Sequence, residues 1–397
     1  MRDDFMFTSE SVTEGHPDKL CDQVSDAVID RFLTEDPFAV VRVECAVATG
    51  VLFIAARFRS SASLDIPEVA RQVIGQVGYD REDFNAKSCG ILTSLSEMPE
   101  LFPPVADERT LSEDEVERVP ARNQVTVFGF ACTQTAAFLP LPIWLAHKLA
   151  RRLAAVRLEG ILDYLAPDGK TQVGVEYRNR RPYRIHSITL VASQYQAEAP
   201  SQNKLADDVM QQVIDPTFVD EEVRPDERTR IFVNPGGPLI VGGPTVHSGL
   251  TGRKNAIDTY GEYCRISGAA LSGKDPTHID RIGAYAARYA AKNVVAAGLA
   301  DECEVHLSYS IGLSRPVSVQ VETFGTGRVD DARIADLVRS QFDLRPAGIV
   351  RAFDLRRLPA VHKGRFYRRL AAYGHVGRMD FEVPWEGTEK AAALREA

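Results

Sequence analysis

Residues 20–77 constrain the fold most, because two helical periods enclose two runs of strand character. In 20–34 (LCDQVSDAVIDRFLT) apolar side chains fall at Leu20, Val24, Ala27, Val28 and Phe32, the spacing of one buried helix face. After Asp36-Pro37, residues 38–58 are rich in Val, Ala and Phe and read as strands broken at Thr49-Gly50. Residues 66–77 (IPEVARQVIGQV) give a second amphipathic helix, with Pro67 suited to its first turn. Such an order of strands and helices predicts mixed α/β layers of the α+β type.

A chain of 397 residues has room for two or three cores of this kind. The stretch 96–120 (SEMPELFPPVADERTLSEDEVERVP) is acidic, carries four prolines, and reads as a long loop of the lid or linker kind. Glycine and proline punctuate 233–252 in the same way. The expected units are therefore 1–107, 121–232 and 233–397, with 108–120 closing the lid-like loop. In the last unit, the Ala-rich segment 279–299 predicts a helix ending at Gly298, and 304–313 and 317–324 alternate like paired strands. A turn is expected at Pro167-Asp168-Gly169-Lys170, before a strand at 171–177.

Composition narrows the function. The net charge of −8 argues against a general nucleic-acid binder. Six scattered cysteines without a CxxC pair read as free thiols in a reducing compartment. No apolar run reaches the roughly 18 residues of a membrane helix, and Met1 leads within a few residues to Phe7-Thr8-Ser9-Glu10, too soon for a signal peptide. The expected setting is cytoplasmic.

Three segments carry chemistry. Gly15-His16-Pro17-Asp18-Lys19 sets an imidazole, a carboxylate and an ammonium at a helix N-terminus, where anions are favoured; a capped helix with solvated charges is the plain alternative. The turn at 167–170 adds an acid and a lysine, a common arrangement with little weight alone. Gly249-Leu250-Thr251-Gly252-Arg253-Lys254, Ser272-Gly273-Lys274-Asp275-Pro276 and Asp280-Arg281 combine glycines with cations, which suits a phosphate cradle better than a solvated face.

Together these segments resemble the S-adenosylmethionine synthase (methionine adenosyltransferase) family over nearly the whole chain. The matching stretches include FTSESVTEGHPDKLCDQVSDAV at 7–28, PDGKTQV at 167–173, GLTGRKNAIDTYG at 249–261 and SGKDPTHIDRIGAYAARYAAKNVVAAGLA at 272–300. The resemblance implies three similar mixed-sheet domains, discontinuous in space, and tight dimers, often paired into tetramers, with active sites between subunits. It implies ATP as substrate, with His16, Lys170, Arg253, Lys254 and Lys274 on the triphosphate, Asp168 on the ribose, and Ala270 at the nucleotide. Asp18 and Asp280 would hold Mg²⁺, and Glu44 K⁺. The implied reaction is attack of sulfur on C5′ of ATP, expelling triphosphate, which is then cleaved to pyrophosphate and phosphate. Cations aimed at that leaving group lower the barrier, and a thioether needs no general base.

The acceptor side departs from the family. Arg57 stands where the family has a glutamate, Asn123 and His247 replace aspartates, and His278 replaces a lysine. Pro238-Leu239 occupies the place of an Arg-Phe pair on the adenine side. Exchanging an acid for Arg57 disfavours methionine's ammonium, which needs carboxylate partners once desolvated. These changes predict retained triphosphate chemistry with an acceptor other than methionine, such as an anionic analogue. Ordinary S-adenosylmethionine synthesis, an ATP triphosphatase and a non-catalytic regulatory subunit are the competing readings.

Overall fold

The computed structural model describes residues 4–81, 84–99 and 105–396. Within them lie β1 (Phe5–Val12), β2 (Val40–Ala48), β3 (Val51–Arg59), β4 (Gly90–Glu97), β5 (Val125–Cys132) and β6 (Leu165–Arg178). They are followed by β7 (Arg181–Gln194), β8 (Arg230–Val233), β9 (Leu239–Ile240), β10 (Gly249–Leu250), β11 (Glu302–Tyr309) and β12 (Ser318–Glu322). The longer helices used below are α1 (Pro17–Glu35), α2 (Ile66–Val77), α3 (Leu141–Leu158) and α4 (Ile279–Ala296).

The strands form three sheets: β1-β6-β7-β8 with β9 beside β7, β10-β2-β3-β4, and β12-β11-β5. One long helix backs each sheet, α3 on β1 and β6, α1 on β2, and α4 on β5 and β11. The repeated unit is thus a sheet with a helix on one face. In the second sheet, β2 turns Val41, Val43, Cys45 and Val47 inward and Arg42 and Glu44 outward. Leu20, Val24, Val28 and Phe32 of α1 are at most 1% exposed against that face. Each such side chain contributes about 1.5–3 kcal/mol on full burial. α2 matches its expected span, opening on Asp65, which accepts the Glu68 N–H, and closing on left-handed Gly78.

Each sheet takes a strand from a distant part of the chain. β1 pairs with β6, β10 with β2, and β5 with β11, all antiparallel. This exchange carries the motif segments to one another: β10 brings 249–254 alongside β2, and β6 brings 167–170 to the start of α1.

Two expectations need correction. Pro167-Asp168-Gly169-Lys170 is not a turn but lies inside β6, with Lys170 opposite Val12 and Val191. Neighbouring strands on both sides supply the ladder, and an irregular register between Leu165 and Gly169 absorbs the proline. The stretch 96–120 is not wholly loop, since β4 runs to Glu97 and Ser112 and Glu115 close a capping box on a turn of helix at 113–116. Its residues 100–104 lie outside the described ones. The acidic side chains that follow pair with arginines of the C-terminal part: Asp107 with Arg357 (2.8 Å), Glu113 with Arg345 (2.6 Å) and Glu117 with Arg315 (2.7 Å). Arg356 donates three bonds of 2.6–3.0 Å to the buried Glu108 carboxylate. Among the described residues, no helix is long and apolar enough to cross a membrane.

Candidate active site

The N-terminus of α1 is the point where the motifs meet. His16 is the N-cap residue, and its Nδ1 accepts the Asp18 N–H at 3.2 Å. Pro17 occupies the first helical position, where no N–H is needed. Two glycines let other segments touch this turn. A Cβ on Gly15 would overlap the Pro167 carbonyl of β6, and one on Gly249 would overlap the Pro17 carbonyl. Bare backbone at both places joins three motifs into one surface.

Asp168 lies at the centre of that surface and is 3% exposed. Its Oδ2 accepts the Gly243 N–H at 2.9 Å and the His247 Nε2–H at 2.8 Å. Its Oδ1 is buried without a hydrogen-bond partner. The rings of His16 and His247 stand edge to face, 4.9 Å apart. Burial lowers the His16 pKa to about 3; nearby His247, Lys254 and Lys170 reinforce the shift and Asp168 opposes it. His16 is therefore neutral at ordinary pH. Because Nδ1 is an acceptor, its proton sits on Nε2, which is left as a donor. Burial alone would raise the Asp168 pKa, but the hydrogen bonds from His247 and the Gly243 N–H help hold it below the usual range.

The cations sit around this core. Lys170 is exposed on β6, Arg253 Nη1 is 3.6 Å from Asp18 Oδ1, and Lys254 Nζ is 3.5 Å from Glu10. Ala270 packs against left-handed Gly252 of the 249–254 loop.

Beneath the surface runs a ladder that reading the sequence for apolar periodicity missed. Asp18, Asp22, Asp26 and Asp30 recur every four residues on one face of α1, and all are at most 4% exposed. Asp18 accepts the Leu250 N–H (3.0 Å), Asp22 that of Gly252 (2.7 Å) and Asp26 that of Gly273 (2.8 Å). Asp30 accepts two, from Tyr367 and Arg368, both at 2.9 Å. Lys19 pairs with Asp22 and Asp258, and Arg281 with Asp26 at 2.6 Å, so the buried charge is compensated. The signal was present as aspartates at a spacing of four.

Lys274 and Asp280 form a separate cluster. Their charged atoms are 3.4 Å apart, and Asn123 Nδ2 donates to both Asp280 oxygens at 2.9 and 3.0 Å. Burial lowers the Lys274 pKa, against the raising effect of Asp280. A groove of about 590 Å³ lined by Asn123, Gln124, Phe128, Ser267 and Asp280 opens beside it. Two rulers place this cluster away from His16. Gly273 is held by Asp26, eight residues or about 12 Å along α1 from Asp18. Lys274 faces Arg42, four residues or about 13 Å along β2 from Ala46, the partner of Leu250. Within a single chain, Lys274 and Asp280 therefore stand apart from the His16 group, displaced along α1 and β2.

Models of the N-terminal, central and C-terminal domains of S-adenosylmethionine synthetase match residues 4–99, 118–239 and 241–387. The chain belongs to the S-adenosylmethionine synthetase family. It is 50% identical over 410 residues to the S-adenosylmethionine synthase of Gloeobacter violaceus, covering 99% of this chain and 98% of the relative. It is likewise 50% identical over 407 residues to that of Microcystis aeruginosa, covering 99% and 98%. This synthetase-family chain is accordingly a transferase of the methionine adenosyltransferase class, which takes the adenosyl group from ATP.

The remaining residues singled out in this synthetase fall at several places. Arg57 is exposed on β3, opposite Arg42 in register. Glu44 is exposed and engaged by Arg42, whose two bonds of 2.7 and 3.1 Å both fall on Oε1. His278 caps α4 and lies 3.4 Å from Asp275. His247 is hydrogen-bonded to Asp168. For the metals the resemblance implies, Asp18 fits: it is buried beside Arg253, and Oδ1 alone takes its backbone donor. Asp280 fits less well, because the Asn123 amide already covers both of its oxygens.

Proposed function

We propose that the chain is an S-adenosylmethionine synthase that joins L-methionine to the adenosyl group of ATP in the cytoplasm. The observation that carries the reading is the neutral His16, whose Nε2–H is free to donate, beside the unpartnered Oδ1 of Asp168 and the cations Lys170, Arg253 and Lys254. Asp168 Oδ1 is a ready acceptor for a ribose hydroxyl. The His16 Nε2–H then suits the oxygen that leaves C5′ as sulfur attacks. Lys170, Arg253 and Lys254 match the charge that collects on the departing triphosphate, the part of the reaction where preformed donors lower the barrier most. Cleavage of triphosphate to pyrophosphate and phosphate would use the same cations. Asp18, with Asp280, would hold Mg²⁺ and Glu44 K⁺, adding positive charge at the phosphates.

The divided cradle favours two copies acting together. In such a homodimer, the His16 half of one copy meets the Lys274 half of the other, and dimers can pair further into a tetramer. The outer face of the second sheet supports this arrangement, since it leaves Val51, Phe53, Leu92 and Leu250 between 41% and 59% exposed.

One observation favours a second reading, in which the acceptor carries an extra anionic group or lacks the ammonium. Arg42 of β2 lies between Arg57 of β3 and Lys274, which meets it through an isolated antiparallel bridge. Asp280 pairs with Lys274 and Glu44 with Arg42, whereas no acid lies within ion-pair reach of Arg57 among the described residues. That row has spare positive charge.

Incubation of the pure protein with ATP, MgCl₂ and KCl, with and without L-methionine, followed by mass spectrometry tests the function. S-adenosylmethionine is the expected product. Adenosine and phosphates without acceptor would point to a hydrolase, and no turnover at all to a regulatory subunit. Under the second reading Arg57→Glu raises turnover with methionine; an unchanged acceptor preference argues against that reading.

A further inference from the structure

We propose that His16, Asp168 and His247 form a site for a borderline transition-metal ion such as Zn²⁺, and that its occupation shuts out the nucleotide. Among the described residues, this is the one group of three or more His, Cys, Asp or Glu side chains whose ligand atoms all lie within 4.8 Å of one another. Two imidazoles and one carboxylate suit Zn²⁺, Co²⁺ or Ni²⁺, whereas Mg²⁺ prefers an all-oxygen shell. The site is therefore chemically distinct from the carboxylate at Asp18.

Geometry supports the assignment. In a tetrahedral site with bonds near 2.1 Å, ligand atoms stand about 3.4 Å apart. The candidate ligand atoms all lie within 4.8 Å of one another, so no pair need close by more than about 1.4 Å, within reach of small ring rotations. A second observation points to a ligand independently: Asp168 is 97% buried by its 3% exposure, yet its Oδ1 has no partner. Buried carboxylate oxygens left bare are costly unless something else satisfies them. The Gly243 N–H already steadies the carboxylate from behind, as outer-shell donors do around bound metals.

The protons can be accommodated. A metal at His247 Nε2 displaces the proton now given to Asp168, and His247, about one-third exposed, can carry it on the other nitrogen. His16 must give up either its Nε2 proton position or the 3.2 Å cap bond from the Asp18 N–H. Since His16 and Asp168 are also the groups that face ATP, metal and nucleotide cannot hold them together. His247 sets the character of the site, because an aspartate there would leave a single imidazole.

The test uses the chelator-treated full-length protein, titrated with Co²⁺ alone and followed by its visible d–d absorption. One Co²⁺ per chain is expected, without the near-ultraviolet thiolate band that binding to the free cysteines would give. His247→Asn should weaken binding at least about tenfold, Asp168→Asn should do the same, and His247→Asp, which restores a ligand, should recover part of it. A non-hydrolysable ATP analogue should raise the apparent Kd for Co²⁺. Wild-type affinity in either Asn variant, a thiolate band, or simultaneous binding of Co²⁺ and the analogue would each overturn the proposal. The cobalt titration stands without any activity, so a failure of the synthase reading would be seen separately.

Discussion

Two variants that are each inactive can distinguish a site shared between copies from one built within a chain. His16→Ala removes the donor at one half, and Lys274→Ala removes the cation at the other. Loss of a donor aimed at developing charge typically lowers kcat by about 10²–10³-fold, so each variant alone should be nearly silent. The rulers along α1 and β2 put the halves about 12–13 Å apart in one chain. If copies pair about a two-fold axis, a mixed dimer has one site carrying both substitutions and one carrying neither. Random exchange makes half of the dimers mixed, so the mixture should recover about one quarter of wild-type turnover. The assay is mild denaturation and joint refolding of the two variants, followed by S-adenosylmethionine formation, with each variant refolded alone as control. No recovery in a mixture shown by mass to contain mixed dimers would refute the shared-site reasoning.

Other substitutions probe the scaffold. Gly249→Ala sets a Cβ against the Pro17 carbonyl, so a loss of about 1–3 kcal/mol in denaturant unfolding is expected, with ATP affinity falling alongside. Arg281→Met leaves Asp26 buried without its cation, and breaking such a pair costs about 3–5 kcal/mol, read as a lower unfolding midpoint. Burial raises the Asp30 pKa to about 7, against two backbone N–H donors that lower it. The native state keeps that proton to about pH 7 while the unfolded chain loses it near pH 4, so this group's contribution to stability declines between those values and is flat above. The melting temperature of the wild type relative to Asp30→Asn should accordingly fall from pH 5 to pH 7; an unchanged difference would show that Asp30 is ionised in the fold.

Much of the fold was legible because helical and strand periods in this chain are strong. The helices at 20–34, 66–77 and 279–299 appear as α1, α2 and α4, and the break at Thr49-Gly50 separates β2 from β3. The segment 167–170 misled for a local reason: Pro, Asp and Gly favour turns, but β1, from a distant part of the chain, and the hairpin partner β7 impose a strand. Motif chemistry identified His16, Asp168, Lys170, Arg253 and Lys254, which the fold brings together. It could not show how far Lys274 and Asp280 stand from them within one chain, because the order of motifs along a sequence does not fix their distances in space. The acidic loop read as lid-like by composition, since its arginine partners, Arg315, Arg345, Arg356 and Arg357, are some two hundred residues away in sequence.

The aspartates of α1 grip their loops by main-chain N–H groups, and a peptide N–H is the same whatever side chain it bears. Loops clamped in this way can exchange their side chains while their course past the helix stays fixed. Positions such as His247, three residues before the clamped Leu250, are thereby open to substitution without loss of the framework. A lineage could retune what this surface recognises one residue at a time, with the spine of the helix holding the shape constant.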